Sequence, residues 1–145
     1  MRLYLDICAI QRPLDDQKQL RVRTEAEAVL GLLALCEDGA LTLVASGVHV
    51  VENQKCPYPD RRAHVNDVLN LAPLYVSTDA AVLERAKRYQ EDGIKRLDAL
   101  HLASAVEAGV EYFCTTDDRL LRNGKIADTK STSVVSPLEL VVLLQ

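Results

Sequence analysis

Two stretches of the chain place carboxylates where they could do chemistry. In Arg96–Leu97–Asp98–Ala99–Leu100–His101–Leu102–Ala103, Asp98 falls in the opening turn of a helical pattern. In Tyr112–Phe113–Cys114–Thr115–Thr116–Asp117–Asp118, the acids follow a short apolar strand pattern. Asp6 ends the apolar run Arg2–Leu3–Tyr4–Leu5, and Glu52 lies on the helical run after Leu41–Thr42–Leu43–Val44–Ala45. In an α/β fold all four acids fall toward one edge of the sheet, outside the carboxyl ends of its strands. Two like charges about 4 Å apart repel by about 4 kcal/mol at an effective dielectric near 20, so such a cluster needs a shared proton or a cation. Mg2+ and Mn2+ prefer carboxylate oxygen and keep several waters, which leaves positions for a phosphate and an attacking water. Metal-assisted hydrolysis of a phosphate ester is the chemistry that suits these acids.

The elements that must position them follow from periodicity and punctuation. Residues 2–7 read as a central strand because the run is apolar without alternation. Pro13, Asp15 and Asp16 mark a loop and a helix start, and Asp15 and Asp16 read as capping residues. From about Gln17 to Asp38 a helical stripe runs through Leu20, Ala26, Val29, Leu30, Leu33 and Cys36, stopped by Gly39. Residues 41–45 form a second strand, and Ser46 caps a helix to about Gln54. Asp60 caps a helix over 61–71, Pro73–Val76 is a third strand, and Ser77 or Thr78 caps a helix ending near Gly93, with Asp79 in its first turn. Lys95 to Val106 is the Asp98 helix. Tyr112–Cys114 is a fourth strand, followed by a short helix ended by Gly124. Ser133–Val135 is a fifth strand, and Pro137 opens a last helix through Leu144. Strands separated by helices predict a parallel sheet covered on both faces.

The totals agree. A chain of 145 residues with 48% apolar and 4% aromatic residues predicts one domain, residues 1–145, with a core of Leu, Val and Ala. The formal charge of −4 argues against binding nucleic acid through a broad basic surface. Arg12, Arg96 and Arg119 flank the acidic segments and are candidate contacts to a phosphate backbone. Cys8, Cys36, Cys56 and Cys114 show no CxxC spacing, which excludes zinc ribbons and redox motifs. Cys8 and Cys114 fall in strand-like surroundings, and buried reduced thiols are expected. No run approaches the ~18 apolar residues of a membrane span, and the N-terminus does not read as a signal peptide. A soluble, cytoplasmic protein is the expectation.

Each acid also fits a structural role. Asp98 complements a helix dipole, Asp117 caps a helix, Asp6 ends a strand, Glu52 sits on a solvated face, and Asp118 either supports the site or points into water. His101, on an otherwise apolar helix, reads as a packed, hydrogen-bonded histidine rather than a general base.

Taken together, Leu5–Asp6, Glu52 after Ser46, Leu97–Asp98–Ala99–Leu100–His101–Leu102–Ala103 and Thr115–Thr116–Asp117–Asp118–Arg119–Leu120–Leu121 resemble the PIN domain, the nuclease fold shared by VapC-type toxins. The resemblance spans Met1 to about Leu140. It implies a three-layer α/β/α sandwich with parallel strand order 3-2-1-4-5 and Mg2+- or Mn2+-dependent cleavage of RNA. It also implies a cognate antitoxin and a homodimer, for which the apolar faces of the first helix and of the helices over 61–91 are available. The family's four acids fall on Asp6, Glu52, Asp98 and Asp117. Its hydroxyl before the fourth acid falls on Thr115, with Thr116 beside it, and Asp118 becomes an auxiliary carboxylate. One departure stands out: members commonly carry Ser, Thr or Asn directly after the first acid, and this chain has Ile7. A catalytically weak or inactive binding module is therefore the rival reading. A receiver-type phosphoacceptor lacks its lysine on the last strand, and a dehalogenase-like phosphatase lacks its Asp-x-Asp.

Overall fold

The computed structural model describes residues 1–145. The strands are β1 (Arg2–Leu5), β2 (Thr42–Ser46), β3 (Leu74–Val76), β4 (Tyr112–Cys114) and β5 (Ser133–Val135). The helices are α1 (Ile7–Gln11), α2 (Leu20–Glu37), α3 (Gly47–Gln54), α4 (Pro59–Leu69), α5 (Ala80–Glu91), α6 (Arg96–Glu107), α7 (Asp118–Ile126) and α8 (Pro137–Leu143). The strands form one sheet of order β3-β2-β1-β4-β5, and every pairing is parallel. β1 is central, with Leu3 opposite Leu43 on one side and Leu5 opposite Cys114 on the other.

Successive side chains on a strand point to opposite faces, and this builds the three layers. Leu3, Leu5, Leu43, Cys114 and Val135 pack on one face with Ile10, Val29, Leu32, Val65 and Leu140. Tyr4, Val44, Phe113 and Val134 pack on the other with Val82, Leu102, Val106 and Leu120. The central strands are thus buried on both sides, which is why they read as unbroken apolar runs.

Several boundaries differ from those expected. β1 stops at Leu5; the apolar run continues as helix α1, so Cys8 is helical and not in a strand. Periodicity cannot separate a buried strand from a buried short helix. In α2, Leu20 and Leu30 are exposed, whereas Val22, Leu32 and the acid Glu25 are buried. The rest of the expected stripe, Ala26, Val29, Leu33 and Cys36, faces inward, and the buried Glu25 is paired with Arg12 and Arg21. Neither Asp15 nor Asp16 caps α2, whose N-cap is Gln19. Asp15 instead follows a 3-10 turn over Arg12–Leu14 as its C-cap, its backbone N–H donating to the Arg12 carbonyl, and its side chain pairs with Arg12 and Arg61. α4 begins at Pro59, a residue pre-set for the first helical turn, so Asp60 lies inside the helix. Asp79, not Ser77 or Thr78, caps α5, accepting the Val82 N–H at 3.0 Å.

Gly124 does not end its helix; α7 continues to Ile126. A Cβ at Gly124 would stand 2.9 Å from Cγ1 and 3.1 Å from Cγ2 of Val134 on β5, so glycine here sets how closely α7 lies on the sheet. Alanine is normally better than glycine inside a helix by about 1 kcal/mol. Overpacking of about 1–3 kcal/mol opposes that gain. We expect Gly124→Ala to lower the denaturant midpoint and Val134→Ala to make the same substitution neutral or stabilising. A Gly124→Ala protein more stable than the parent would show that the close approach is not limiting.

Candidate active site: an acidic cleft at the carboxyl edge of the sheet

The chain leaves β1 toward β2 and β3 on one side and later returns to build β4 and β5 on the other. The crevice between the carboxyl ends of β1 and β4 is therefore the switch point, where ligands bind in open parallel sheets. Asp6 stands at the end of β1, and the segment 115–117 stands at the end of β4.

A single hydroxyl joins them. Thr115 Oγ1 donates to Asp6 Oδ2 at 3.0 Å and accepts the backbone N–H of Asp117 at 3.1 Å. Asp117 caps α7 through Oδ1, which accepts the Leu120 N–H at 2.9 Å, and its other oxygen takes no hydrogen bond from the protein. A second donor to Asp6 Oδ2 is the thiol of Cys8 at 3.2 Å. Burial and the neighbouring Asp6 push the Cys8 thiol up to about 12, so it stays protonated and donates. Asp6 Oδ1 is left without a protein partner. Ile7, at the place where the family commonly has a polar residue, packs into the core, and Cys8 one residue later supplies the missing donor. The sequence places Cys8 among buried reduced thiols, and its spacing of two residues from Asp6 is the one local signal of this contact.

Asp98 lies in the first turn of α6, half-buried, and its carboxylate accepts no hydrogen bond from the protein. Burial, then the negative charges of Asp6, Asp117 and Glu52, push it up to about 6, with His101 acting in the opposite sense. The four acids expected from the sequence thus share one electrostatic environment. Glu52, on α3, approaches His101: Nε2 of the histidine is 3.5 Å from Oε1, and Oε2 is buried without a partner. His101 is fully buried and bonded to the Tyr4 hydroxyl at 2.6 Å, the packed histidine that was expected. An indentation of about 370 Å³ opens beside Glu52, lined by Ile7, Val51, Asn53 and Leu97 among others.

Other candidates separate. Thr116 is buried, and its carbonyl accepts a bond from Arg21. Asp118 does not face the acids: it receives two bonds from Arg21, at 2.7 and 2.8 Å, on the outer side of α7. Arg12 is not free for substrate, because it holds the buried Glu25 at 2.7 Å and Asp15 at 3.2 Å. Arg96 and Arg119 are exposed and form no ion pair. Glu25 and Arg21 were missed because a buried acid in an apolar stripe carries no local signal.

No three of the cleft's acidic, histidine or cysteine side chains are drawn close enough to hold an ion by direct ligation alone. What they offer is carboxylate oxygen only, with Asp98 and one oxygen each of Asp6 and Asp117 free of protein donors. No lysine or arginine pairs with any of the four. That donor set fits a hard divalent cation that keeps most of its own waters.

The sheet order, the switch point and the acids near it describe an open parallel α/β protein with an acidic carboxyl edge. The sequence matches the PIN domain over residues 14–126, and the chain belongs to the PIN domain family. Asp6 precedes the matched stretch, so its place in the cleft rests on the geometry. No curated protein matches the sequence. A chain of VapBC2 from Rickettsia felis, crystallised bound to a DNA fragment from their promoter, is similar over 94% of this chain and 98% of its own. Its TM-score is 0.60 and its identity 14%, a likeness of fold. VapBC-5 from Mycobacterium tuberculosis, a member of the VapBC family of toxin-antitoxin systems, matches over 93% of this chain and 98% of its own, with a TM-score of 0.49 and 14% identity.

The environment of Asp98 gives a pH signature in metal-free protein. Its folded value of about 6 lies above the ordinary 3.8, so the folded state binds the proton more tightly. This group's contribution to stability is fully present below 3.8 and is lost as pH rises through about 6. Asp98→Asn should raise the melting temperature at pH 7 by roughly 3 °C, about 1 kcal/mol once solvent screening is allowed for. It should give no advantage at pH 4. Equal effects at both pH values would contradict the assigned environment.

Proposed function

We propose that the cleft is the active centre of a divalent-metal-dependent endoribonuclease, and that the chain is the toxin of a toxin–antitoxin pair. The observation that carries this reading is the shared electrostatic environment of Asp6, Glu52, Asp98 and Asp117, none of which has a lysine or arginine as an ion-pair partner. Asp6, Asp98 and Asp117 would hold Mg2+ or Mn2+, directly or through water, with Glu52 acting through water or on a second ion. Such an ion, when bound, lowers the pKa of a water and offsets negative charge developing at phosphorus. The remaining work falls to the chain itself. Thr115 and Cys8 fix the Asp6 carboxylate, and Thr115 also fixes the turn that carries Asp117. Arg96 and Arg119, free of acidic partners, reach for the phosphates of single-stranded RNA. No nucleophilic side chain is required.

The antitoxin reading is supported by the VapBC2 likeness in fold and by the PIN family membership. A homodimer is supported by exposed apolar side chains, Leu20 and Leu30 on α2 and Tyr75 and Leu83 on β3 and α5. No helix is long and apolar enough to cross a membrane; a cytoplasmic site of action accords with RNA as substrate. The rival reading, a PIN-like module that binds without cutting, drew on Ile7, and the Cys8 donor weakens it.

Purified protein is expected to cleave single-stranded RNA with Mn2+ or Mg2+ and to stop in excess chelator. Asp98→Asn should cut the rate by about 100-fold or more. Undiminished cleavage in chelator, or in the variant, would defeat the nuclease reading. Cys8→Ala should weaken Mn2+ binding by about ten-fold in a calorimetric titration, as expected for loss of a donor to a ligating carboxylate. Unchanged affinity would show that Thr115 alone suffices.

A further inference from the structure

Beneath Glu52 lies a chain of buried polar groups whose direction can be worked out atom by atom. His49 caps back onto Ser46: the backbone N–H of Ser46 donates to His49 Nδ1 at 3.1 Å. That bond occupies the lone pair of Nδ1, so the ring proton of His49 sits on Nε2, which donates to the Leu5 carbonyl at 2.7 Å. Burial, reinforced by His101, pushes His49 down to about 3 and keeps it neutral. The Ser46 hydroxyl accepts the His49 backbone N–H at 3.2 Å. Its own proton has one open acceptor, the Tyr4 oxygen at 2.7 Å, because His49 Nδ1 is already taken. The Tyr4 proton must then go to His101 Nδ1 at 2.6 Å. With Nδ1 accepting, the ring proton of His101 lies on Nε2, and Nε2 faces Glu52 Oε1 at 3.5 Å.

We propose that His101 is a positioning residue for Glu52: the hydroxyl chain Ser46 to Tyr4 to His101 fixes an Nε2–H that aims the Glu52 carboxylate at the other acids of the cleft. His101 Nε2 and the other carboxylate oxygen, Glu52 Oε2, are both buried with no hydrogen bond. The 3.5 Å separation is longer than the 2.7–3.2 Å of an N–H···O bond, so the contact is an ion-pair distance that a formed hydrogen bond would shorten. The inference rests on the nuclease reading only for what Glu52 does; the direction of the proton chain stands apart from it.

The test therefore has two arms. Long-range proton–nitrogen NMR of the 15N-labelled protein at neutral pH reads the tautomers directly. His49 and His101 should both appear as Nε2–H rings. Glu52→Gln should shift the His101 Nε2 signal, and Tyr4→Phe should remove the preference at His101. An Nδ1-protonated His101, or one blind to both substitutions, overturns the proposal even if the protein cuts RNA. The second arm is a Mn2+ titration of His101→Gln, whose amide can present an N–H near the Nε2 position, and of His101→Leu, which cannot. His101→Leu should bind Mn2+ about ten-fold more weakly than the parent, and His101→Gln should recover most of that loss. Equal Mn2+ affinity of the parent and a folded His101→Leu overturns the positioning role. If the parent neither binds Mn2+ nor cuts RNA, the nuclease reading fails, while the NMR arm still decides the proton chain.

Discussion

The cleft depends on one constraint: carboxylates from distant segments are held together although they repel. The repulsion is felt at Asp98, whose proton affinity is raised by burial and then by Asp6, Asp117 and Glu52. The fold opposes it with fixed donors rather than with cations. Thr115 uses its single proton on Asp6, which ties the end of β4 to the end of β1, and its lone pair on the Asp117 N–H, which fixes the turn after β4. Asp117 is pinned a second time as the cap of α7. Asp98 has no such donor, and it is the acid whose proton affinity rises. The unevenness is informative: the strand-end acids are built in, whereas Asp98, on the helix, is left to find its partner in the cleft.

Much of this was legible in the sequence, and the parts that were not share a physical cause. Alternation of helices with short apolar runs gives a parallel sheet with covered faces, and all five strands lie where those runs predicted. The strand order, by contrast, came from family resemblance, since spacing alone does not say which strand neighbours which. Asp6, Asp98, Asp117 and Thr115 were findable because each sits at an element boundary, where punctuation is strong. Glu52 sits inside a helix, so its direction depends on how α3 packs. Cys8, Glu25, Arg21 and the Ser46–Tyr4–His101 chain act across sequence separations that no local pattern carries. Arg21 meets Asp118 ninety-seven residues away, and Tyr4 meets His101 at the same separation. In α2 the apolar stripe found the buried face through Ala26, Val29, Leu33 and Cys36, but Leu20 and Leu30 are exposed and the buried acid Glu25 gave no apolar signal.

The buried polar chain sits within an otherwise apolar layer. Tyr4 stacks on His49 at 4.4 Å and on Phe113 at 5.5 Å between ring centroids, so its ring belongs to the core while its hydroxyl belongs to the chain. Buried polar groups are costly when unsatisfied, and here each donor through Tyr4 has one acceptor. The only unsatisfied members are those at the cleft end, His101 Nε2 and Glu52 Oε2. A strictly structural network would close on itself. This one stops at the edge of the acidic cleft.

The same partition governs the charges. Arg12, Arg21 and Arg61 surround α1 and the start of α2, close enough in the fold to compete for nearby acids. Each is already committed: Arg12 to Glu25 and Asp15, Arg21 to Asp118 and Glu25, Arg61 to Asp15. Glu25, buried and carrying two guanidinium partners, is the anchor of this outer set. If Arg12 or Arg21 swung into the cleft, the buried Glu25 would keep only one of its two guanidinium partners. The outer acids therefore keep the cations out of the cleft as much as they hold the helices in place. The four acids of the cleft are left without a lysine or arginine partner.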